Sequence, residues 1–429
     1  MSGLFAQVGY ANETVVPPAT TAGTSVATTV GGIPYLNSLT FGSAHGLVVG
    51  STLVLSGYTA AAWNSTATTA WVVATVPTTT TLTFYSQIPL GVLSVHGTIS
   101  ASVYGSQIAA PVNGISTVTP APSRFTTFVK ESMKLNNGRI ESAGVGALRR
   151  VQSSTRWVAD RQGATGDLQF EVESKGFGFW LKHLVGPVAT AGPTDSLYTH
   201  TASIPTTLPG MLGTSFNLQG TVVPVGGTTN ELVKTYIGCK VISWQIDFAV
   251  GQLLTITVNI DAMDEQYNLT KATASYAANP ELLSFAGGTI QIGGTTWDVV
   301  RSGSFKCDLG YNADRRFVRS NTLQREPAEE KMRMITADID GEFDNVVTVY
   351  NKYSTAVASQ SLATLSLAFT GKILVGAASF PSLTLTCPVA RFDGDTPTTD
   401  GPVLPSQKLS AKIMDQGFTM AYATADSTP

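Results

Sequence analysis

Charge is what the first part of this chain lacks. The sequence of 429 residues holds 26 Lys and Arg and 29 Asp and Glu, and all but Glu13 lie at or beyond Arg124. Formal net charge is -3, and no run of Lys or Arg forms a patch. That excludes a protein built to grip phosphate backbones. Cysteine is scarce: Cys239, Cys307 and Cys387 stand far apart with no C-x-x-C pair. A zinc knuckle or redox dithiol is excluded, and buried free thiols in a reducing compartment are expected. Histidine is limited to His45, His96, His183 and His200, and no G-x-S-x-G or H-E-x-x-H motif occurs, so no local pattern points to a hydrolytic site. Ser, Thr and Gly interrupt every apolar stretch before it reaches about 18 residues, and no signal peptide is indicated. The chain is expected to be soluble, made in a cytoplasm and without catalytic, cofactor-binding or metal-ligating residues.

What is present points to β structure. The length allows two to four domains. Residues 1–18 form an irregular arm ending at Pro17 and Pro18. Residues 19–118 are rich in Thr, Ser, Gly, Ala and Val, with strand-length runs at Thr52-Leu53-Val54-Leu55-Ser56 and Trp71-Val72-Val73-Ala74-Thr75-Val76, and alternation at Thr81-Leu82-Thr83-Phe84. Turn residues separate them at spacings of roughly ten, as in a small β-sandwich or barrel. Disorder is the rival for so polar a tract, but Phe41, Trp63, Trp71, Phe84 and Tyr85 are spaced as a core needs.

Beyond Arg124 one hairpin is clear. Ile242, Trp244, Ile246 and Phe248 alternate with polar residues, Gly251 marks a turn, and Leu254, Ile256, Val258 and Ile260 alternate again. One helix is clear too, with Phe177, Trp180, Leu181 and Leu184 at i, i+3, i+4 and i+7 before Gly186-Pro187. The order then recurs. Asp344 precedes Val346, Val349, Tyr350 and Tyr353 at the same spacing, Asp338-Ile339-Asp340-Gly341-Glu342-Phe343 parallels Asp167-Leu168-Gln169-Phe170-Glu171-Val172, and Phe305-Lys306-Cys307-Asp308-Leu309 parallels Ser132-Met133-Lys134-Leu135. Alternation at Leu383, Leu385, Cys387 and Val389 leads to a strand through Leu409, Ala411 and Ile413. The pattern predicts an internal duplication, 119–285 and 286–429, each copy running strand, charged loop, strand, helix, hairpin.

Two charged segments invite a functional interpretation. Asp338-Ile339-Asp340-Gly341-Glu342 could suggest calcium, but its alternation favours a solvated strand face and the EF-hand spacing is absent. The loop holding Arg139, Arg149, Arg150, Arg156 and Arg161, offset by Glu141 and Asp160, is the densest basic stretch. With Trp157 its one interleaved aromatic, it suits docking on a neighbouring copy through bidentate arginine contacts better than nucleic-acid binding.

These residues carry a family resemblance. Phe125-Thr126-Thr127-Phe128-Val129-Lys130-Glu131-Ser132, Arg139-Ile140-Glu141-Ser142, Arg149-Arg150-Val151-Gln152, Gly166-Asp167-Leu168-Gln169-Phe170-Glu171-Val172, Gly176-Phe177-Gly178, Leu181-Lys182-His183, Tyr236-Ile237-Gly238-Cys239-Lys240-Val241 and Val389-Ala390-Arg391-Phe392-Asp393-Gly394 follow in order. The run resembles the major tail tube proteins of long, non-contractile-tailed (siphovirus-type) bacteriophages over the arm and about 119–429. The resemblance implies a mainly β fold of tandem β-sandwich units, each with one short helix. It implies a structural virion protein, not an enzyme, with no cofactor. Copies would stack as rings into a hollow tube, with viral DNA and the tape measure protein in the lumen without tight binding, and tail-end proteins at its end. Duplication makes three chains per pseudo-sixfold ring the expectation. Residues 19–118 depart from the family and would be an inserted β accessory domain outside the tube, its His45-Gly46-Leu47 and Val76-Pro77-Thr78-Thr79 resembling a β repeat of phage structural proteins. The alternatives are another virion β-protein, such as a capsid decoration or tail-end protein, or a carbohydrate-binding adhesive module.

Overall fold

A computed structural model describes residues 6–15, 20–27, 35–41, 52–56, 71–78, 80–86, 98–102, 122–144, 150–160, 162–206, 214–224, 231–267, 270–318, 323–343, 350–352, 354, 362–373, 375, 378–394, 396–397 and 404–429. The fold is mainly β, as expected. It opens with β1 (Val8–Asn12). The chain then builds a separate antiparallel sheet from β2 (Thr14–Val15), β3 (Thr20–Ala27), β4 (Tyr35–Phe41), β5 (Thr52–Ser56), β6 (Trp71–Thr78), β7 (Thr81–Ser86) and β8 (Thr98–Ser102), in the order β2-β8-β5-β6-β7-β4-β3. Leu39, Phe41, Leu53, Leu55, Val73, Leu82 and Phe84 are buried there, and none belongs to the main core cluster. The rings of Trp71 and Phe84 pack tilted, with centroids 5.5 Å apart. Trp63, His45 and His96 lie outside the described residues.

The chain returns at β9 (Arg124–Thr126), which pairs beside β1. Next come β10 (Lys130–Glu131), β11 (Lys134–Leu135), a small hairpin of β12 (Arg139–Glu141) and β13 (Trp157–Ala159), and β14 (Ala164–Glu171), along which both β10 and β11 run. The helix α1 (Gly178–Leu184) follows where its spacing predicted it, burying Trp180, Leu181 and Leu184. No side chain caps its start, and Gly186, at φ +153°, ends it in a conformation that favours glycine. Then run β15 (Val188–Thr194), β16 (Leu197–Ser203), β17 (Phe216–Val222), β18 (Leu232–Ala249), β19 (Thr255–Ala262) and β20 (Asp264–Tyr267). The expected hairpin is β18–β19, with Trp244 opposite Val258 and Ile246 opposite Ile256. The rest of the chain holds β21 (Gly288–Ile292), β22 (Thr295–Thr296), β23 (Val300–Asp308), a small hairpin of β24 (Tyr311–Asn312) and β25 (Ala328–Glu329), β26 (Met334–Glu342), β27 (Ala363–Thr370), β28 (Ser382–Gly394), β29 (Ser406–Ile413) and β30 (Thr419–Thr424). Most of the second expected helix, with Asp344, Val346, Val349 and Tyr353, lies outside the described residues; 350–352 at its end are helical.

Strand pairing repeats along the chain. The series β9–β1–β17–β18–β20 recurs as β22–β21–β27–β28–β30. The series β10/β11–β14–β19–β18 recurs as β23–β26–β29–β28. Register repeats too: Asp167 faces Asn259 across β14–β19 as Asp338 faces Ser410 across β26–β29. β18 also pairs with β23, from Ser243–Asp308 to Ala249–Ser302, so one sheet runs β10/β11–β14–β19–β18–β23–β26–β29–β28 through both repeats. One hydrophobic cluster, from Val8 to Tyr422, serves both. Where the second repeat closes β21 to β22 with Gly293 and Gly294, at φ +60° and +79°, the first carries the whole β2–β8 sheet between β1 and β9. The irregular arm of the sequence is therefore split: β1 is a buried strand of the main body, and β2 belongs to the second sheet.

Candidate assembly surface

The sheet that spans both repeats has two unlike faces, because its strands alternate. Leu168, Val258, Trp244, Phe305, Ile339 and Leu409 point into the core. The opposite face carries Asp167 and Gln169, Thr257 and Asn259, Ser243, Gln245 and Asp247, Ser304 and Lys306, Asp338 and Asp340, and Lys408, Ser410 and Lys412. Some of its carboxylates are hydrogen-bonded on the face itself, and Asp338 is also ion-paired. Asn259 Nδ2 donates to Asp167 at 2.8 Å, Ser410 Oγ donates to Asp338 at 2.7 Å, and Lys306 Nζ lies 3.6 Å from Asp338. Acids and lysines interleave, so no cluster of cations forms that would hold a polyanion tightly. The Asp338–Glu342 stretch lies on this face as a strand, with Ile339 buried between its acids. No group of three or more His, Cys, Asp or Glu is placed to hold a metal among the described residues.

Each repeat also carries a loop with a small hairpin at its base, and the two loops differ. The described residues of the loop between β23 and β26, 309–318 and 323–333, dock on the first repeat of their own chain. Glu326 meets Lys240 Nζ at 2.5 Å, and that ammonium also sits 5.2 Å from the Tyr311 ring. Gln324 donates to Asp261, Arg316 donates to the Gln162 carbonyl at 2.9 Å, and Arg333 donates to the Val185 carbonyl at 2.5 Å, beyond the end of α1. Lys240, Asp261, Met263 and Asp264 are buried. Burial pulls the Lys240 ammonium down, opposed by the Glu326 carboxylate, and pushes the Asp261 carboxyl up to about 7. The sequence signal for this joint is Lys240, a lysine inside an apolar run, whose partner Glu326 lies more than 80 positions away.

Residues 136–163, between β11 and β14, contain the candidate contact residues. The structure brings some of them together, and the end of the loop meets the second repeat where Arg316 donates to the Gln162 carbonyl. Arg139 stacks 5.1 Å over the Trp157 ring, Arg156 donates to Ser142 Oγ at 3.2 Å, and Ser142 N donates to the Arg156 carbonyl at 2.9 Å. Glu141 ends β12 opposite Trp157, and Arg150 and Asp160 lie outside the two strands; Arg149 and Arg161 lie outside the described residues. Ile140, Trp157 and Val158 are 54%, 50% and 60% exposed.

The remaining candidate chemistry is structural. His183 is buried against Asn12, its Nε2 3.0 Å from Oδ1, and burial holds its pKa well below the ordinary value, with the Lys182 and Lys240 cations adding to the effect. His200 bridges Thr190 and the Asp426 carbonyl. All three cysteines are free and buried, and burial pushes the Cys307 and Cys387 thiols up to about 12. No helix among the described residues is long and apolar enough to cross a membrane.

Against known families, the profile described as phage tail tube protein matches residues 6–411. No curated protein matches the sequence.

Proposed function

Because the chain belongs to the phage tail tube protein family, a structural family of the virion whose members assemble into the tube, we propose that it forms stacked rings of three chains, each chain filling two positions of a pseudo-sixfold ring. The repeated strand pairing carries this proposal. A chain holding two equivalent units needs half as many copies to close the same circle. The polar face of the long sheet would then line the lumen, since acids interleaved with its lysines let DNA pass during ejection without being held. The tape measure protein would occupy that lumen during assembly, and tail-end proteins would cap the stack. We assign the units to 119–285 and 286–429, with β1 of the arm 1–18 joining the first, and the accessory domain to 19–118 together with β2, placed outside the tube. The two-glycine turn between β21 and β22 supports treating the β2–β8 sheet as an addition to one repeat. Assembly from chains made in the host cytoplasm of a siphovirus-type phage fits three buried free thiols. Negative-stain microscopy of the purified protein tests the proposal. Long hollow polymers whose averaged rings contain three chains are expected; discrete monomers would refute the tube, and six chains per ring would refute the stoichiometry.

A further inference from the structure

We propose that the 136–163 loop docks across the β28–β29 end of the neighbouring copy's second repeat, taking there the place that 309–333 takes on the first repeat of its own chain. This rests on ring assembly and adds the contact that makes one ring position follow another.

Equivalence between the repeats is fixed by hydrogen bonding. Asp160 N donates to the Gly138 carbonyl at 3.0 Å, and Glu330 N donates to the Gly310 carbonyl at 3.0 Å, so the two loops leave their sheets alike. Counting back along the small hairpins sets Arg156 where the other loop has Glu326, and Trp157 where it has Pro327. On the receiving side Lys240 faces Asp261 across β18–β19, and Arg391 faces Lys412 across β28–β29. Met263 N bonds the Ile237 carbonyl and Met414 N the Val389 carbonyl, both at 2.9 Å, which fixes Met414 as the mate of Met263.

Exposure then separates the two receiving sites. The Lys240 side chain is 2% exposed and Met263 is 7% exposed under the docked loop. Their mates Arg391 and Met414 are 46% and 36% exposed, and Lys412 and Asp415 are exposed as well. The uncovered receiving site and the uncovered loop thus belong to the same joint, built once within the chain and left open at both ends. They lie at opposite ends of the eight-member strand series, β10/β11 at one end and β28 at the other, so a second copy is the occupant that joins them. Charge differs from the inner joint: Arg156 arrives where Arg391 and Lys412 stand, so it does not repeat the Glu326–Lys240 contact and instead pairs with Asp393 or Asp415 beside them, while Glu141 faces the two cations. Trp157, Val158 and Ile140 supply the apolar contact that an exposed aromatic hairpin otherwise lacks.

The test uses the full chain assembled into tubes. Arg156→Cys and Arg391→Cys together occupy the positions of the Glu326–Lys240 contact. Mild oxidation is expected to give reducible multiples of the 45.0 kDa chain, absent from either single variant. Hydrogen exchange on wild-type protein is independent of those substitutions: uptake at 139–159 and 412–415 is expected to slow about tenfold or more on passing from monomer to tube. Tubes that show neither cross-link nor protection would overturn the docking while leaving the tube intact. Wild-type protein that forms no tubes would overturn the assembly on which the docking rests.

Discussion

Glu326→Ala isolates the joint between the repeats. The Glu326 carboxylate lies 2.5 Å from a Lys240 ammonium whose side chain is 2% exposed. At an effective dielectric of about 20 the pair attracts by roughly 6–7 kcal/mol. Much of that is offset by taking both charges out of water, so the pair's net worth is small while the cost of breaking it is large. Truncating Glu326 leaves the ammonium buried beside Tyr311, with Glu329 as a more distant compensating charge. The expected loss is about 3 kcal/mol, the low end of the range for stranding a buried charge. Urea unfolding of the unassembled chain measures it, and hydrogen exchange should show 309–333 opening first. The apolar double variant Lys240→Met with Glu326→Leu should recover to within about 1 kcal/mol of wild type. A loss under about 0.5 kcal/mol for the single variant, or no recovery in the double, would refute the account of this loop as anchored through a buried pair.

Asp261 gives a pH signature. Its folded carboxyl, raised by burial to about 7, keeps a proton that the unfolded chain releases near about 4. The folded state therefore binds more protons between those values, and stability should fall as pH rises from about 4 to about 7; melting temperatures of Asp261→Asn should lack that component of the slope. Glu13 accepts from Ser215 Oγ at 2.5 Å and Gly238 N at 2.7 Å, tying β1 to β17 and β18, so Glu13→Ala should cost about 2–4 kcal/mol by stranding two buried donors, read by thermal shift. Replacing residues 16–120 with a short Gly-Ser linker should leave the main melting transition in place, because the buried residues of β4–β7 lie outside the main core cluster; loss of that transition would show the two sheets to be one folding unit.

Much of the fold was legible where alternation met a single buried face. The β18–β19 hairpin, α1 and the correspondence of Asp167 with Asp338 all follow from apolar residues spaced at the period of their element. The strand-length runs at Thr52 and Trp71 likewise became β5 and β6. β1 was not legible, since Val8-Gly9-Tyr10 is too short to show a period and Tyr10 is buried by ring contacts from Phe179 and Trp180, far along the chain. Nor was β30, which follows the strand expected to end the pattern and pairs with β16 more than 200 positions away. The loop at 139–160 stood out in the sequence by its arginines, of which Arg139 and Arg156 meet in the β12–β13 hairpin. Its counterpart at 309–333 did not, because its acids and glutamine matter through Lys240 and Asp261, which sequence distance conceals.

The two-glycine turn between β21 and β22 has a practical consequence. The equivalent connection in the first repeat spans more than 100 residues and still returns the chain to Phe125 opposite Gly9. Closing a longer connection costs little more than closing a short one, and the flanking strands hold their ends in place. Gly293–Gly294 is therefore a vacant graft point: a guest domain spliced there would sit on the second repeat as the β2–β8 sheet sits on the first, doubling the payload each chain can display.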